Sequence, residues 1–305
     1  MDFTLDSHQE AVLEAVRTLL SRHGGPARLH DLGGDEPGYD HDLDKRLAEA
    51  GFLDIAEPRS ACRLDAALVL EALSGALASS AAGWRLLVLP TLDVDVEGPV
   101  AVVSEHHSGP ARFAADADAL VVIGDDRVRL VRPDRRIPRV RSRLGWPVGE
   151  VNGLPGGGVI DGAPVAEVRS WARVALATEM VGAMQFALDI TVRHVSDRRQ
   201  FDRAIGSFQA VQHGLAECSV AVEGARWLAL EAAFTGSAGT AAAALTQASE
   251  ASKLIFRRTH QYHGAMGFTR EYDLHLSTLR LLALRSEAES LGRPAAACAH
   301  EHWRI

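Results

Sequence analysis

The chain has 305 residues, of which 47% are hydrophobic and 24% charged, a composition that excludes extensive disorder. No uninterrupted apolar run approaches the roughly 18 residues of a membrane span, and the net charge of −8 argues against nucleic acid as a partner. The three widely spaced cysteines exclude a disulfide scaffold or a zinc ribbon. Together with the acidic, polar first residues, they predict a cytoplasmic protein without a secretory signal.

Residues 1–92 predict an N-terminal helical domain, because apolar residues recur there at helical spacing. We expect one helix near the start, a second over Leu43–Ala50 and a third over Leu64–Ser79. Residues 93–167 predict a small β domain, since short apolar runs alternate with turn signals. Within it, the valine-rich run before Gly124 and the alternating run after Asp126 predict a β-hairpin.

Residues 168–305 predict a C-terminal four-helix bundle, because four long segments keep an apolar spacing of three to four residues and are joined by short connections. The second, third and fourth helices are expected near Phe208–Ala229, Ala241–His260 and Leu274–Leu291. The predicted fold class is therefore mostly α with a small β domain.

The first junction of the bundle, residues 196–214, combines cations, an amide and aromatic rings. An arginine can fork onto a phosphate and a phenylalanine can stack on a heteroaromatic ring, so this junction is a candidate anion-and-ring site. Ser207 is a candidate N-cap for the next helix. The alternative is a charged interhelical turn with a buried phenylalanine.

The second junction, residues 260–276, contains Gly264 and Gly267, which permit close approach of the backbone to a ligand. The alternative is an ordinary helix–helix turn that contains glycine. His260 and His263 are three residues apart, but no carboxylate accompanies them at a fixed spacing, so no metal site is predicted.

Residues 127–143 hold eight arginines. They are Arg127, Arg129, Arg132, Arg135, Arg136, Arg139, Arg141 and Arg143. One interpretation is a phosphate-binding stripe for nucleic acid or for a nucleotide tail. The alternative is a solvated strand face or a subunit contact. The absence of interleaved aromatic residues and the acidic total charge argue against nucleic acid.

Taken together, the two junctions resemble the C-terminal domain of the acyl-CoA dehydrogenase family. The first contains RRQFD (198–202) followed by IGSFQAVQH (205–213), and the second contains HQYHGAMGFT (260–269) followed by EYDLHL (271–276). A weaker resemblance covers the N-terminal helices. The resemblance as a whole implies the family layout of N-terminal helices, a middle β domain and a C-terminal four-helix bundle that forms homo- or hetero-oligomers.

The resemblance also implies an activity and a cofactor. Family members remove two hydrogens from Cα and Cβ of an acyl-CoA or similar acyl thioester: a carboxylate takes the α-proton and FAD accepts the hydride. An electron-transfer flavoprotein-like acceptor would then reoxidise the flavin. The cofactor-binding residues implied are Arg198 on the FAD pyrophosphate of a neighbouring subunit, Gln200 and Phe201 beside it, Phe208 and Gln209 near the adenine, and Gln261, Gly264 and Gly267 at the dinucleotide.

The chain departs from the family pattern at the expected base and in the flavin pocket. The usual glutamate position corresponds to Ala288, with Glu287 and Glu289 beside it as weak candidates. The second family position is Ala172, for which Glu179 is a poor substitute. Asp202 replaces the usual glycine, and the stretches T-E-x-x-x-G-S-D and W-x-T/S of the family's middle domain are not found.

In these departures the chain resembles the small subunit of the heteromeric members of the family. The sequence therefore predicts a flavoprotein subunit whose partner supplies the base. The alternative is a homo-oligomer that has lost dehydrogenation and binds or otherwise transforms an acyl thioester.

Overall fold

A computed structural model describes residues 4–34, 36–56, 62–153, 158–160, 162–290 and 294–303. The N-terminal part is helical: α1 (Ser7–His23), α2 (Gly25–Asp31), α3 (His41–Glu49), α4 (Leu64–Gly75) and α5 (Ala82–Leu87). A capping box fixes the start of α1, where Asp6 and Gln9 exchange side chain–backbone hydrogen bonds. The third predicted helix, α4, ends earlier than expected because Leu77 adopts a left-handed φ of 54°, which a right-handed helix cannot contain.

The middle part contains two small sheets. The first has the order β1 (Val100–Ser104), β3 (Ala119–Ile123), β4 (Val128–Val131) and β7 (Gly158–Val159). The second has the order β2 (Gly109–Arg112), β6 (Val148–Val151) and β5 (Arg139–Val140). The predicted hairpin is confirmed as the antiparallel β3–β4 pair, whereas β1 and β3 are parallel and are joined through β2 of the other sheet.

Successive side chains of β1 and β3 pack into two different hydrophobic cores. Ala101, Val103, Leu120 and Val122 pack with residues of the second sheet, while Val100 and Val102 join the main hydrophobic core. Because successive side chains of a strand point to opposite faces, the first sheet lies between the second sheet and the rest of the protein.

The C-terminal part confirms the four long helices. They are α6 (Val165–Asp197), α7 (Gln209–Thr235), α8 (Ala238–His263) and α9 (Leu274–Ser290), followed by α10 (Pro294–Trp303). α7 begins after Phe208, and the Ser207 hydroxyl donates to the Ala204 carbonyl oxygen at 2.7 Å, so the prediction of Ser207 as N-cap is wrong. The predicted class, mostly α with a small β module, is confirmed.

α6 is the central helix and contacts α4, α7, α8 and α9. It approaches α4 closely at Gly182, where an added Cβ would lie 2.5 Å from the Glu71 carbonyl oxygen and 2.7 Å from the Gly75 nitrogen. α6 is also long and apolar enough to span a membrane, but 83% of its most apolar stretch is buried inside the protein. That burial is typical of a core helix, as the sequence predicts.

Candidate functional site

The first junction projects from the end of α6. The Arg198 N–H donates to the His194 carbonyl oxygen, and the chain then forms a short hairpin of β8 (Arg199–Gln200) and β9 (Arg203–Ala204). Arg198 and Gln200 are exposed, and Phe201 at the tip is 85% exposed. Within the residues that the structure describes, the Arg198 guanidinium has no ion-pair partner, so it remains available to an anion.

The tip of this hairpin explains one departure from the family pattern. Phe201 and Asp202 have φ values of 55° and 64°, so both occupy the left-handed region. A two-residue hairpin turn of this kind favours glycine, and aspartate is among the side chains that tolerate it best. The replacement of the usual glycine by Asp202 therefore preserves the turn and adds an exposed carboxylate to it.

The second junction lies against the first. The His194 ring in the last turn of α6 stacks on the His263 ring at the end of α8, with 4.3 Å between centroids. Tyr272 contacts both rings and donates its hydroxyl to the Ile190 carbonyl oxygen at 3.3 Å. The two motifs predicted to act together are therefore adjacent at one end of the bundle.

The two glycines of the second junction serve this geometry in different ways. Gly264 caps α8 with a φ of 62° and has open space where a Cβ would lie. Gly267 packs against its own chain, since a Cβ there would lie 3.0 Å from the His263 Cβ. Gly264 therefore leaves backbone accessible from outside, whereas Gly267 is required for internal packing.

Burial disfavours the charged form of three histidines at the junctions. Burial lowers the pKa of His263 to about 4, and burial also lowers the pKa values of His260 and His194. His260 Nε2 lies 3.1 Å from the Thr278 hydroxyl, and His263 Nδ1 donates to the Thr259 carbonyl oxygen at 2.8 Å.

The positive charge of this face therefore comes from arginines. The Arg203 guanidinium lies over the Phe208 ring at 3.9 Å, and Arg198 and Arg199 are exposed nearby. Gln209 begins α7 and Gln261 lies in the last turn of α8, both exposed. Within the described part of the chain the Arg198 guanidinium has no ion-pair partner, and it and the exposed amides can donate hydrogen bonds to a diphosphate, while the exposed ring of Phe201 can stack on an aromatic base.

A buried ion-pair cluster lies elsewhere, where the β module meets the bundle. Arg112 of β2 contacts Glu179 of α6 at 2.8 Å and donates from Nε to Glu287 of α9 at 2.9 Å. The Arg112 guanidinium also lies about 5 Å from the rings of Trp84, Phe113 and Trp146. Arg112 thereby connects three parts of the chain. Sequence reasoning missed Arg112, and no local pattern around it indicates the contact.

Burial governs the ionisation of this cluster. Desolvation raises the pKa of Glu179 to about 7 and raises the pKa of Glu287. Desolvation alone would lower the pKa of Arg112, but the two carboxylates outweigh it and the pKa is raised. Neighbouring Arg280 has its pKa lowered by burial to about 9 and donates to the carbonyl oxygens of Gly145 and Ala78, each at 3.0 Å.

Two of the positions at which the family resemblance implies a catalytic base hold alanine. Ala288 and Ala172 are buried, with exposed fractions of 1% and 0%, so each is a methyl group in the core. Glu287 is engaged by Arg112, and Glu289 is exposed on the outer side of α9. α9 therefore offers no unpaired, inward-facing carboxylate among its described residues.

A cavity of about 370 Å³ opens beside the cluster, between the β module and α9. Its lining includes Val102, Val103, Ala111, Arg112, Arg141, Ser142, Arg143, Leu144, Trp146, Val148, Ala283, Ser286 and Glu287. The last residues of the arginine-rich segment, Arg141, Ser142 and Arg143, line its exposed side, which forms the mouth.

Elsewhere the arginines of segment 127–143 are largely solvated or locally paired. Arg139 contacts Asp116 at 2.5 Å, and Arg141 pairs with Glu36. Arg135, Arg136 and Arg143 are exposed and make no ion pair within the described part of the chain. This arrangement agrees with a solvated face, except at the cavity mouth.

One group of possible metal ligands occurs among the described residues. Atoms of Glu105, His106 and Asp125 lie within 4.8 Å of one another, with His106 and Asp125 exposed. Exposed acidic groups of this kind are common without an ion, so we assign no metal there.

Comparison with known proteins identifies the family. The family model described as acyl-CoA dehydrogenase, C-terminal domain, matches residues 162–286. Acyl-CoA dehydrogenase IpdE2 of Mycolicibacterium smegmatis is 30% identical over 304 residues, covering 95% of this chain and 96% of the relative. The protein of the same name from Mycobacterium tuberculosis is 28% identical over 301 residues and covers 90% of each chain. The chain therefore belongs to the acyl-CoA dehydrogenase family.

Solved structures agree on the fold. The ChsE4-ChsE5 complex from Mycobacterium tuberculosis matches with a TM-score of 0.77 and 22% identity, covering 99% of this chain and 98% of that chain. A glutaryl-coenzyme A dehydrogenase in complex with glutaryl-CoA matches with a TM-score of 0.78 and 19% identity, covering 100% and 97%. At these identities the likeness concerns the fold alone.

Proposed function

We propose that this chain is the small, flavin-binding subunit of a cytoplasmic heteromeric acyl-CoA dehydrogenase, which catalyses α,β-dehydrogenation of an acyl thioester. The observation that carries this proposal is that α9 offers no unpaired carboxylate, among its described residues, at the position of the expected base. Ala288 is buried at the position of the expected base, and the adjacent Glu287 is held by Arg112 at 2.9 Å. Because an alanine cannot accept a proton, the base is expected from a partner subunit.

The exposed end of the bundle supports a role in holding FAD for that partner. The Arg198 guanidinium faces outward and is unpaired within the described residues, which suits a diphosphate bound at a subunit boundary. Gln200, Gln209 and Gln261 would supply amide hydrogen bonds around it. The FAD, when bound, accepts the hydride that leaves Cβ of the substrate.

Exposed apolar side chains on the same face support association with another subunit. Phe201 is 85% exposed and Phe268 is 76% exposed, and Met266 lies beside Gly267 with 42% exposure. Exposed large apolar groups near one another are typical of surfaces that a partner covers. We infer that a second subunit completes the site by packing on this face.

The relatives are consistent with this proposal. The two IpdE2 proteins carry the name acyl-CoA dehydrogenase, and the ChsE4-ChsE5 structure is described as a complex. The fold of this chain is therefore compatible with assembly into a complex of that kind. An electron-transfer flavoprotein-like acceptor would complete the catalytic cycle.

Co-expression tests the proposal directly. The chain is purified alone and together with a family-like protein encoded by a neighbouring gene, and both samples are examined for the visible flavin band and for acyl-CoA-dependent dye reduction. We expect flavin and activity only in the pair. Flavin and activity in the lone chain would contradict the heteromer and would direct attention to Glu287. A pair that forms but neither binds flavin nor reduces dye would favour the homo-oligomer without dehydrogenation.

A further inference from the structure

A pair of stacked histidine rings joins the two junctions. His194 belongs to the last turn of α6 and His263 ends α8, and their ring planes are inclined by only 20° with 4.3 Å between centroids. The Tyr272 ring contacts both, at 5.5 Å from His194 and 4.6 Å from His263. These three rings therefore pack the end of α6 against the end of α8.

The first junction depends on the position of His194. The His194 carbonyl oxygen accepts the Arg198 N–H at 2.9 Å, and the Arg198 carbonyl oxygen accepts the Ile205 N–H at 2.8 Å. The hairpin of β8 and β9 begins directly after the first of these hydrogen bonds and ends at the second. A displacement of the last turn of α6 would therefore move the guanidinium assigned to the cofactor.

A proton added to His263 would occupy a buried nitrogen atom. His263 is 5% exposed, and its Nδ1 donates to the Thr259 carbonyl oxygen at 2.8 Å. Its Nε2 is buried and has no hydrogen-bond partner within the described residues. Because Nδ1 already carries a proton, a second proton would bind Nε2 and leave a charged N–H group buried without an acceptor. Burial of such a group is costly, so protonation favours a state in which the ring reaches water.

The charged groups around the stack add to this cost. Burial lowers the pKa of His194, and Arg198 lowers it further, whereas Asp197 raises it. Burial lowers the pKa of His263 from 6.5 to about 4, and the neighbouring histidines His194 and His260 act in the same direction. The stack is therefore most stable above about pH 6.5 and weakens as the pH falls towards 4. The titratable and charged groups around the rings are Arg193, Asp197, Arg198, His260, Tyr272 and Asp273.

We propose that the His194–His263 stack is a proton-sensitive connection that holds the hairpin of residues 198–204 against the end of α8 and releases it in mild acid. The neutral rings keep Arg198 in place. A proton on His263 separates the rings and frees the last turn of α6 together with the hairpin. His194 and His263 are thus positioning residues. The link to the cofactor rests on the proposed function, whereas the opening itself is a property of this chain alone.

Hydrogen–deuterium exchange of the full chain, without flavin or partner, tests the opening. The reporters are the hydrogen-bonded Arg198 and Ile205 amides, whose rates are corrected for the intrinsic effect of pH and compared with amides in the middle of α6. A group with a pKa of about 4 in the closed state and 6.5 in the open state shifts the opening equilibrium on the order of 25-fold between pH 7.5 and pH 5. We therefore expect the protection of the reporters to fall at least about tenfold, while the middle of α6 stays protected.

Three variants identify the responsible group. His263→Phe keeps an aromatic ring but has no proton to gain, so protection of its reporters should change about threefold or less over this range. His8→Phe, at an exposed histidine of α1, should behave as the wild type does. His194→Ala removes the stack, so its reporters should be at least about tenfold less protected than those of the wild type already at pH 7.5. This last comparison decides the question if His263→Phe does not fold.

The proposal is overturned by pH-independent protection in the wild type, by equal loss of protection throughout the bundle, by full pH dependence in His263→Phe, or by wild-type protection in His194→Ala. The flavin content of the co-expressed pair at pH 7.5 and pH 5 tests the link to the cofactor. Loss of flavin in acid from the wild type but not from His263→Phe supports that link, and the same change in both removes it. A pair that binds no flavin at either pH contradicts the proposed function and leaves the exchange result unchanged.

Discussion

The most informative perturbation is Glu179→Gln, which removes one ionisable group from the buried cluster while keeping its shape. Glu179 lies 2.8 Å from Arg112, and both side chains are only 5% exposed. Desolvation raises the Glu179 pKa from 4.5 to about 7, the largest factor acting on it, even though Arg112 opposes this rise.

The magnitude follows from linkage between proton binding and folding. A pKa that is higher in the folded state means that the folded protein binds the proton more tightly than the unfolded chain does. The resulting stabilisation is fully present below about pH 4.5 and is lost as the pH rises through about 7. At about 1.36 kcal/mol per unit, the change from this one group is about 3 kcal/mol.

Urea unfolding of the wild type and of Glu179→Gln between pH 5 and pH 8.5 measures this effect. The wild type should lose stability relative to the variant by about 3 kcal/mol across that range, because glutamine has no proton to lose. Glu289→Gln, on the exposed side of α9, provides the baseline. A difference between wild type and Glu179→Gln that does not change with pH would refute the assignment of Glu179 as a desolvated carboxyl.

Three further predictions concern the cofactor face and the helix packing. Arg198→Ala in the co-expressed pair should lower the flavin content per heteromer at least about fivefold. Arg257 is an exposed arginine of α8, and its substitution by alanine should leave the flavin content unchanged. Equal flavin content in both variants would remove Arg198 from the site. Asp202→Gly should raise stability by about 0.5–1 kcal/mol in thermal unfolding, since φ at this position is 64° and glycine adopts it without a steric penalty. Gly182→Ala should destabilise by more than about 2 kcal/mol in urea unfolding, because the new Cβ would lie 2.5 Å from the Glu71 carbonyl oxygen; Gly224→Ala, with open space around it, should be neutral or stabilising, and similar effects of the two would contradict the close α4–α6 packing.

The helical and β regions could be predicted because their signals are local. The apolar periodicity of α6 through α9 is contained within each segment, and the β3–β4 hairpin follows from two runs separated by a turn. The exact ends of the helices could not be predicted, because a few residues decide where each helix begins or ends. Ser207 has the side chain of an N-cap, but the 3-10 turn before α7 directs its hydroxyl to Ala204.

The candidate cofactor residues were predicted from two motifs, and the structure brings those motifs together. The stacking of His194 on His263 could not be read from the motifs, because the rings come from the ends of different helices. The family resemblance places Gly267 at the dinucleotide, whereas its nearest neighbours in the structure, His260 and His263, belong to its own chain.

The sequence by itself determined the helices, the hairpin and the family, since each depends on residue identity or on spacing along a short segment. It also predicts, through the family resemblance, that Ala288 stands at the position of the expected base. Only the tertiary structure decided the role of Arg112, which is 175 residues from Glu287 along the chain and 2.9 Å from it in space. Two charged side chains can pair in the interior only where segments that are distant along the chain pack together and exclude water. For Arg112 this environment exists only once the β module has packed against α6 and α9.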